Sequence, residues 1–455
     1  MSVYPRNMSA FLNRLSGYNK NNVKMNVLGS SSANNGDVII QVDLPTNSIV
    51  DLSSLAWSFK NTWSVSTTAG EGNKQHDLPI QAESIINRLA VEVNGQTLVN
   101  LTNYNVLYHA LLYMSATDDY QLQRKAAQCN TQTGSAGGAC QRIQTADGGT
   151  NNAATTTRQH VIDSWVGFLG SAKPNFIDTS LLGNVRISIT LAGADMVGGD
   201  AAAGKANSYQ LTDQYFSIDV VSIADGVYDA MVDQMLASGA PIEIPFKNYF
   251  SFSSAQNTSM SQTTAFNVAS QSIDRLWAVP RAATYNDRDA ARVATAPAHP
   301  IVANNVPYFN FAACNGSDFH FKVNNTLYPQ WTSKNPQDWW QHTKLAVGDQ
   351  GNMLAGAFPT ALPHYLDNFF VYACQLEHRT DGDERFLSGI DSRGAAAQCY
   401  FISSQSTDAA DLHSGNADLA TTKDRSGNVA NQIIVFAECT SSLRIMANKV
   451  LDIVQ

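Results

Sequence analysis

The run Gly199-Asp-Ala-Ala-Ala-Gly204-Lys205 has the G-x-x-x-x-G-K spacing of a phosphate-cradling loop and directly follows an alternating segment at 185–192. Ala206, however, stands where a Ser or Thr hydroxyl would hold Mg²⁺, and no amphipathic helix follows to aim backbone N–H groups at a phosphate. A loop is the better reading than a nucleotide site. The nine histidines (76, 109, 160, 299, 320, 342, 364, 378 and 413) are dispersed, without the His-x-His of a metal-binding barrel or an H-E-x-x-H. Glu377-His378 is a lone pair that reads as a solvated rim. No G-x-S-x-G nucleophile elbow occurs. Two carboxylates brought together from distant strands leave no local signature, so glycoside cleavage is not testable by spacing; the acidic run Asp381-Gly-Asp-Glu384 reads as a loop. Trp339-Trp340 beside Asp338 is the one aromatic group that would suit a sugar. Sequons at Asn7, Asn100, Asn257, Asn315 and Asn324 matter only if the chain meets a glycosylation machinery. No catalytic, cofactor-binding or metal-binding residue is assigned, and the chain is read as a non-enzyme.

The elements that would carry any site are built from an unusual composition. Of 455 residues, 29 are Lys or Arg and 38 are Asp or Glu, a formal charge of −9, and only 15% are charged. An average soluble domain has about 25%. Hydrophobic residues reach 44%, so the missing charge is replaced by hydroxyl, amide and small side chains rather than by a loss of core material. Such neutral faces suit strands that pack against other proteins. The length fits two all-β units of about 200–250 residues. No apolar run reaches the ~18–20 residues of a membrane-spanning helix. Met1-Ser-Val-Tyr-Pro-Arg6 is not followed by an apolar secretory core, so cytosolic or nuclear synthesis is expected. Six scattered cysteines make no disulfide scaffold; Cys374 and Cys439 read as core residues, while Cys129 and Cys140 flank a Gly-rich loop and could pair under oxidising conditions.

Residues 1–36 hold Arg6, Arg14, Lys20 and Lys24 and no acid, which reads either as a basic arm that orders on a partner or as a frayed terminus. Strands are expected from Val38 onward: Val38–Val42, Ile49–Leu52, Leu55–Phe59, Leu89–Val93 running into the hairpin signal Asn94-Gly95, and the alternating Val185–Leu191. One-faced apolar stripes predict helices at 103–116 and at 225–238, the second closed by Gly239 and Pro241, with its methionines in the core. Residues 126–160, 193–209 and 404–430 lack a hydrophobic period and read as long surface loops.

A weak duplication organises these pieces. Val93-Asn-Gly-Gln-Thr-Leu98 returns 230 residues later as Val323-Asn-Asn-Thr-Leu-Tyr328. Each copy follows an alternating strand and precedes a helix-like segment, 103–116 in one and 335–342 in the other. Upstream, Ser54-Leu-Ala-Trp-Ser-Phe59 finds a counterpart in Ile273-Asp-Arg-Leu-Trp-Ala-Val279. The expected fold is all-β: two tandem eight-stranded jelly-roll barrels with a short linking helix. The expected organisation is a basic N-terminal arm at 1–36, a first jelly roll at 37–224, a linker helix at 225–240 and a second jelly roll at 241–455.

The run Asp163-Ser-Trp-Val-Gly-Phe-Leu169, Pro174, and Asp178-Thr-Ser-Leu-Leu-Gly-Asn-Val-Arg-Ile-Ser-Ile-Thr190 resembles the end of the first barrel in double jelly-roll major capsid proteins. The segment from Asp225 through Pro241-Ile-Glu-Ile-Pro-Phe246 is similar to the capsid proteins of virophages and polinton-like viruses. That resemblance implies a structural protein that forms homotrimers, pseudo-hexameric capsomers and an icosahedral shell, made in the host cytoplasm and residing in the virion. It implies as partners neighbouring capsomers, minor capsid or penton proteins, and, for the basic arm (Arg6, Arg14, Lys20, Lys24), an inner membrane, genome or minor protein. It implies no cofactor and no small-molecule substrate. The alternative is a tandem β-sandwich carbohydrate-binding or carbohydrate-active protein.

Overall fold

The computed structural model describes residues 18–29, 33–34, 38–66, 77–78, 82–115, 143–144, 153–193, 207–223, 226–239, 241–255, 261–282, 311, 316–347, 365, 370–377, 389–393, 398–405 and 431–455. In the first half the strands are β1 (Tyr18–Asn26), β2 (Ala33–Asn34), β3 (Ile39–Asp43), β4 (Ile49–Ser66), β5 (Asp77–Leu78), β6 (Ile86–Val93), β7 (Gln96–Thr102), β8 (Ile143–Gln144), β9 (Ala153–Ile162), β10 (Phe176–Asp178), β11 (Val185–Leu191) and β12 (Asn207–Ile223). Helix α1 (Tyr104–Ser115) follows β7, and the short α2 (Phe168–Ser171) and α3 (Thr179–Leu182) flank β10. Helix α4 (Gly226–Ala237) leads to β13 (Ile242–Ser253), β14 (Ser261–Asn267), β15 (Ile273–Ala282), β16 (Gly316–Val323), β17 (Thr326–Ser333), α5 (Pro336–Val347), β18 (Tyr372–Gln375), β19 (Gln398–Gln405), β20 (Asn431–Ile445) and β21 (Leu451–Val454).

The two halves share one strand order. In the first, one sheet runs β1-β12-β4, with β9 and β10 both on β4, and the other runs β3-β11-β6-β7. In the second, the sheets run β13-β20-β15-β18 and β14-β19-β16-β17. Taking β9 and β10 as one position and leaving aside β2, β21 and the β5–β8 ribbon, each half pairs its first, eighth, third and sixth strands in one sheet. Its second, seventh, fourth and fifth make the other. That is the jelly-roll winding, twice.

The paired features of the sequence land on equivalent places. Asn94 (φ 49°) and Gly95 (φ 81°) turn β6 into β7, and Asn324 (φ 54°) turns β16 into β17. Both turns need left-handed backbone, which Asn and Gly tolerate best. Trp57 on β4 lies opposite Phe216, their rings stacked at 5.7 Å, and Trp277 on β15 lies opposite Phe436 in the same way along the chain. Alternation decides which faces are inside: β11 alternates buried and half-buried residues throughout. The core of the second half is aromatic, with Phe319, Phe321, Phe401 and Tyr372 in mutual contact.

Four expectations are corrected. Among the described residues the first strand begins at Tyr18, not Val38, so Lys20 and Lys24 lie in β1 rather than in an arm; β1 is an edge strand whose apolar residues are Val23, Met25 and the terminal Tyr18, too few for a periodic signal. The Thr-rich end of the 126–160 excursion is a strand, β9, paired with β4 from Ser66 to Trp57. Met235 of α4 is 45% exposed and so is not core. Trp339, 1% exposed, packs against Phe319 and Phe370, and Trp340 against Tyr365, so the sugar-platform reading fails.

Candidate assembly surface

Among the described residues no group of three His, Cys, Asp or Glu could hold a metal ion, and no helix is long and apolar enough to cross a membrane. The Gly199–Lys205 run, His378, Asp381–Glu384, Cys129, Cys140, Arg6 and Arg14 lie outside the described residues. Cys374 and Cys439 are buried free thiols, as expected; burial pushes the Cys374 thiol up to about 12, which keeps it unreactive at neutral pH. Asn100 and Asn324 are exposed at the surface of β7 and at the β16–β17 turn.

The concentrated chemistry is instead a buried ion network across one sheet of the second roll. Lys247 on β13 points its ammonium at Asp274 of β15 (2.8 Å), Thr440 of β20 (3.2 Å) and Glu377 just after β18 (3.5 Å). Arg275 bonds Glu377 at 2.8 Å and lies 3.6 Å from Glu438, whose other oxygen accepts from the Trp277 indole N–H. Two cations therefore face three carboxylates. Burial pulls the Lys247 ammonium down, but Asp274, Glu438 and Glu377 outweigh it and hold it above the usual lysine value. Burial pushes the Glu377 carboxyl up against the pull of Lys247 and Arg275. Strands far apart in sequence supply every member, so no local motif announces the network.

The first roll carries a reduced copy in the same place. Lys20 on β1 reaches Asp219 of β12 at 2.8 Å and Asp51 of β4 at 3.5 Å. Lys20 pairs with Val221, two residues from Asp219; Lys247 pairs with Thr440, two residues from Glu438. The copies differ in cover. The Lys20 side chain is 41% exposed and that of Lys247 15%.

What covers Lys247 is the first roll. β13 is the edge of its sheet, and its outward backbone groups are taken by α2 and the segment after it: the Lys247 N–H donates to Ser171 Oγ at 2.8 Å, and the Lys173 N–H donates to the Pro245 carbonyl at 3.0 Å. Phe168 meets Phe246 edge-on at 5.2 Å. Asn103, just before α1, donates to Ser251 and Ser253 at 3.1 Å each. Gly167, beside Val99 of β7 and the Lys247 carbonyl, takes the left-handed backbone (φ 81°) that glycine adopts without strain. An unpaired strand edge invites association, and here the chain covers it with its own other half.

The fold these features define is the double jelly roll. The PBCV-1 protein VP54, fitted into a reconstruction of the virophage Sputnik, matches with a TM-score of 0.60 at 11% identity, covering 100% of this chain and 99% of that one. The Faustovirus major capsid protein matches with 0.55 at 8% identity, over 93% and 90%. The mavirus major capsid protein matches with 0.50 at 11% identity, over 95% and 89%. No family model and no curated protein matches the chain. At these identities the likeness is one of fold.

Proposed function

We propose that this protein is a structural major capsid protein that trimerises into pseudo-hexameric capsomers and tiles an icosahedral viral shell, with no enzymatic activity. The observation that carries the reading is the identical winding of two consecutive rolls. Two like barrels per chain, taken three times about an axis, give six like towers and an outline that packs hexagonally. Full-length likeness of fold to viral major capsid proteins supports it. So does the low charge, since large permanent interfaces tolerate unpaired buried charge poorly. The first roll is taken to begin at Tyr18 and end at Ile223, with α4 as the link and the second roll from Ile242 onward. Neighbouring capsomers and minor capsid or penton proteins are the partners proposed, the virion is the site of residence and the host cytoplasm the site of synthesis. Within β1, Lys20 is held by Asp219 and Asp51 and Lys24 lies over the Tyr215 ring at 4.2 Å, so contact with an inner membrane, genome or minor protein is proposed for Arg6 and Arg14 alone. Native mass spectrometry of the purified protein tests the reading: a stable species at three times 49.2 kDa is expected, and a persistent monomer would overturn it.

A further inference from the structure

The network around Lys247 sets an amine beside a carboxyl away from water. Lys247 Nζ stands 2.8 Å from Asp274 Oδ2, and the two side chains are 15% and 2% exposed. Asp274 lies where the pairing of β15 with β20 shifts register, between Ile273 and Arg275, a kind of irregularity that re-aims a side chain. Thr440 of β20, paired with Lys247, bridges the two groups: its Oγ1 is 3.2 Å from Nζ and donates to Oδ2 at 2.7 Å. We propose that Lys247 and Asp274 condense in the folded chain into an amide, a covalent link from the first strand of the second roll to its third. The proposal does not depend on whether the chain builds a capsomer.

The chemistry closes within the site. The ammonium passes one proton to Asp274 Oδ2, which leaves a free amine facing a carboxylic acid. The Nζ lone pair then forms a bond to Asp274 Cγ, and negative charge gathers on Oδ1, where the Ser272 hydroxyl donates at 2.6 Å. Thr440 takes a proton from the positive nitrogen as it hands its own to Oδ2; the Cγ–Oδ2 bond breaks and water leaves. Glu377, 3.5 Å from Nζ, faces that positive nitrogen. One cation and one anion vanish together, so two cations against three carboxylates become one against two. No oxidant or co-reactant is required. The fold holds the reactants together, and a neutral amide escapes the desolvation cost of a buried ion pair. The carboxylates hold Lys247 above the usual lysine value, so the free amine is scarce and the link forms slowly after folding. Lys20 and Asp219 are the built-in comparison: also 2.8 Å apart but 41% and 19% exposed, they stay ionised in water and stay separate.

Mass spectrometry of the full chain tests the link. Incubated in its folded state until the mass is constant, the protein is expected to stand one water below its sequence mass. A tryptic digest should then contain a branched peptide joining Lys247 to Asp274. Cleavage after Lys247 should be lost, while cleavage after Lys20 persists. Lys247→Arg, which keeps the cation but not the amine, should restore the full mass. Thr440→Val, which removes the bridging hydroxyl, should slow the loss of water by about tenfold or more. A mass that stays at the sequence value, or a water lost without the branched peptide, overturns the proposal.

Discussion

At the scale of single residues, burial decides what the same chemistry is worth. Lys247 and Lys20 make the same kind of ion pair, yet removing Lys247 leaves the buried Asp274 without its cation and Arg275 alone against Glu377 and Glu438. Lys247→Ala should cost about 3–5 kcal/mol, read as a fall in the denaturant midpoint. Lys20→Ala should cost far less, because the buried Asp51 keeps its hydrogen bonds from Ser53 and the part-exposed Asp219 keeps that from Asn22. His109 supplies a pH dependence. It is fully buried in α1 with its Nδ1 2.7 Å from the Asn105 carbonyl, and burial lowers its pKa from 6.5 to about 4. A histidine held neutral in the fold but protonated more readily when unfolded gives stability that is present above pH 6.5 and lost as the pH falls toward 4, up to about 3 kcal/mol. Thermal melts from pH 7 to pH 4.5 should show that slope, and His109→Gln should flatten it. Gly170 sits in α2 where an added Cβ would overlap the Trp165 carbonyl oxygen. Gly170→Ala should therefore displace α2 from β13 and lower the melting temperature by the equivalent of ~1–3 kcal/mol.

At the scale of elements, what the sequence revealed depended on whether a signal was local. The β6–β7 hairpin was legible because Asn94-Gly95 both demands and tolerates left-handed backbone within two residues. Its faint repeat at Val323-Asn-Asn exposed the duplication, and β11 was legible from strict alternation. Helix α1 showed through its apolar stripe. β1 did not show, because an edge strand solvated on its outer side needs few apolar residues, and Asn19, Lys20, Asn21 and Asn22 read as a tail. β9 hid in a Thr-rich stretch whose partner, β4, lies about a hundred residues away. The Trp339-Trp340 pair misled because exposure is a tertiary property; α5 turns Trp339 into the core. The ion network had no signal at all, since its members come from β13, β15, β20 and the residues just after β18.

At the scale of the whole molecule, the duplication explains why one half of the chain protects the other. The first roll sets β7, Asn103 and α2 against the open edge of β13. On the capsomer reading, the neutral composition serves the seams between copies as well as the one within the chain. The seam between rolls also predicts cooperativity: the two halves should unfold together, and Asn103→Ala with Phe168→Ala should split the single calorimetric transition in two. The most direct test of the duplicated-roll account is the projection of the purified particle along its symmetry axis in electron micrographs. Class averages with six lobes, alternating slightly in two kinds, are the predicted outcome. Three lobes, or a particle with no rotational symmetry, would contradict it.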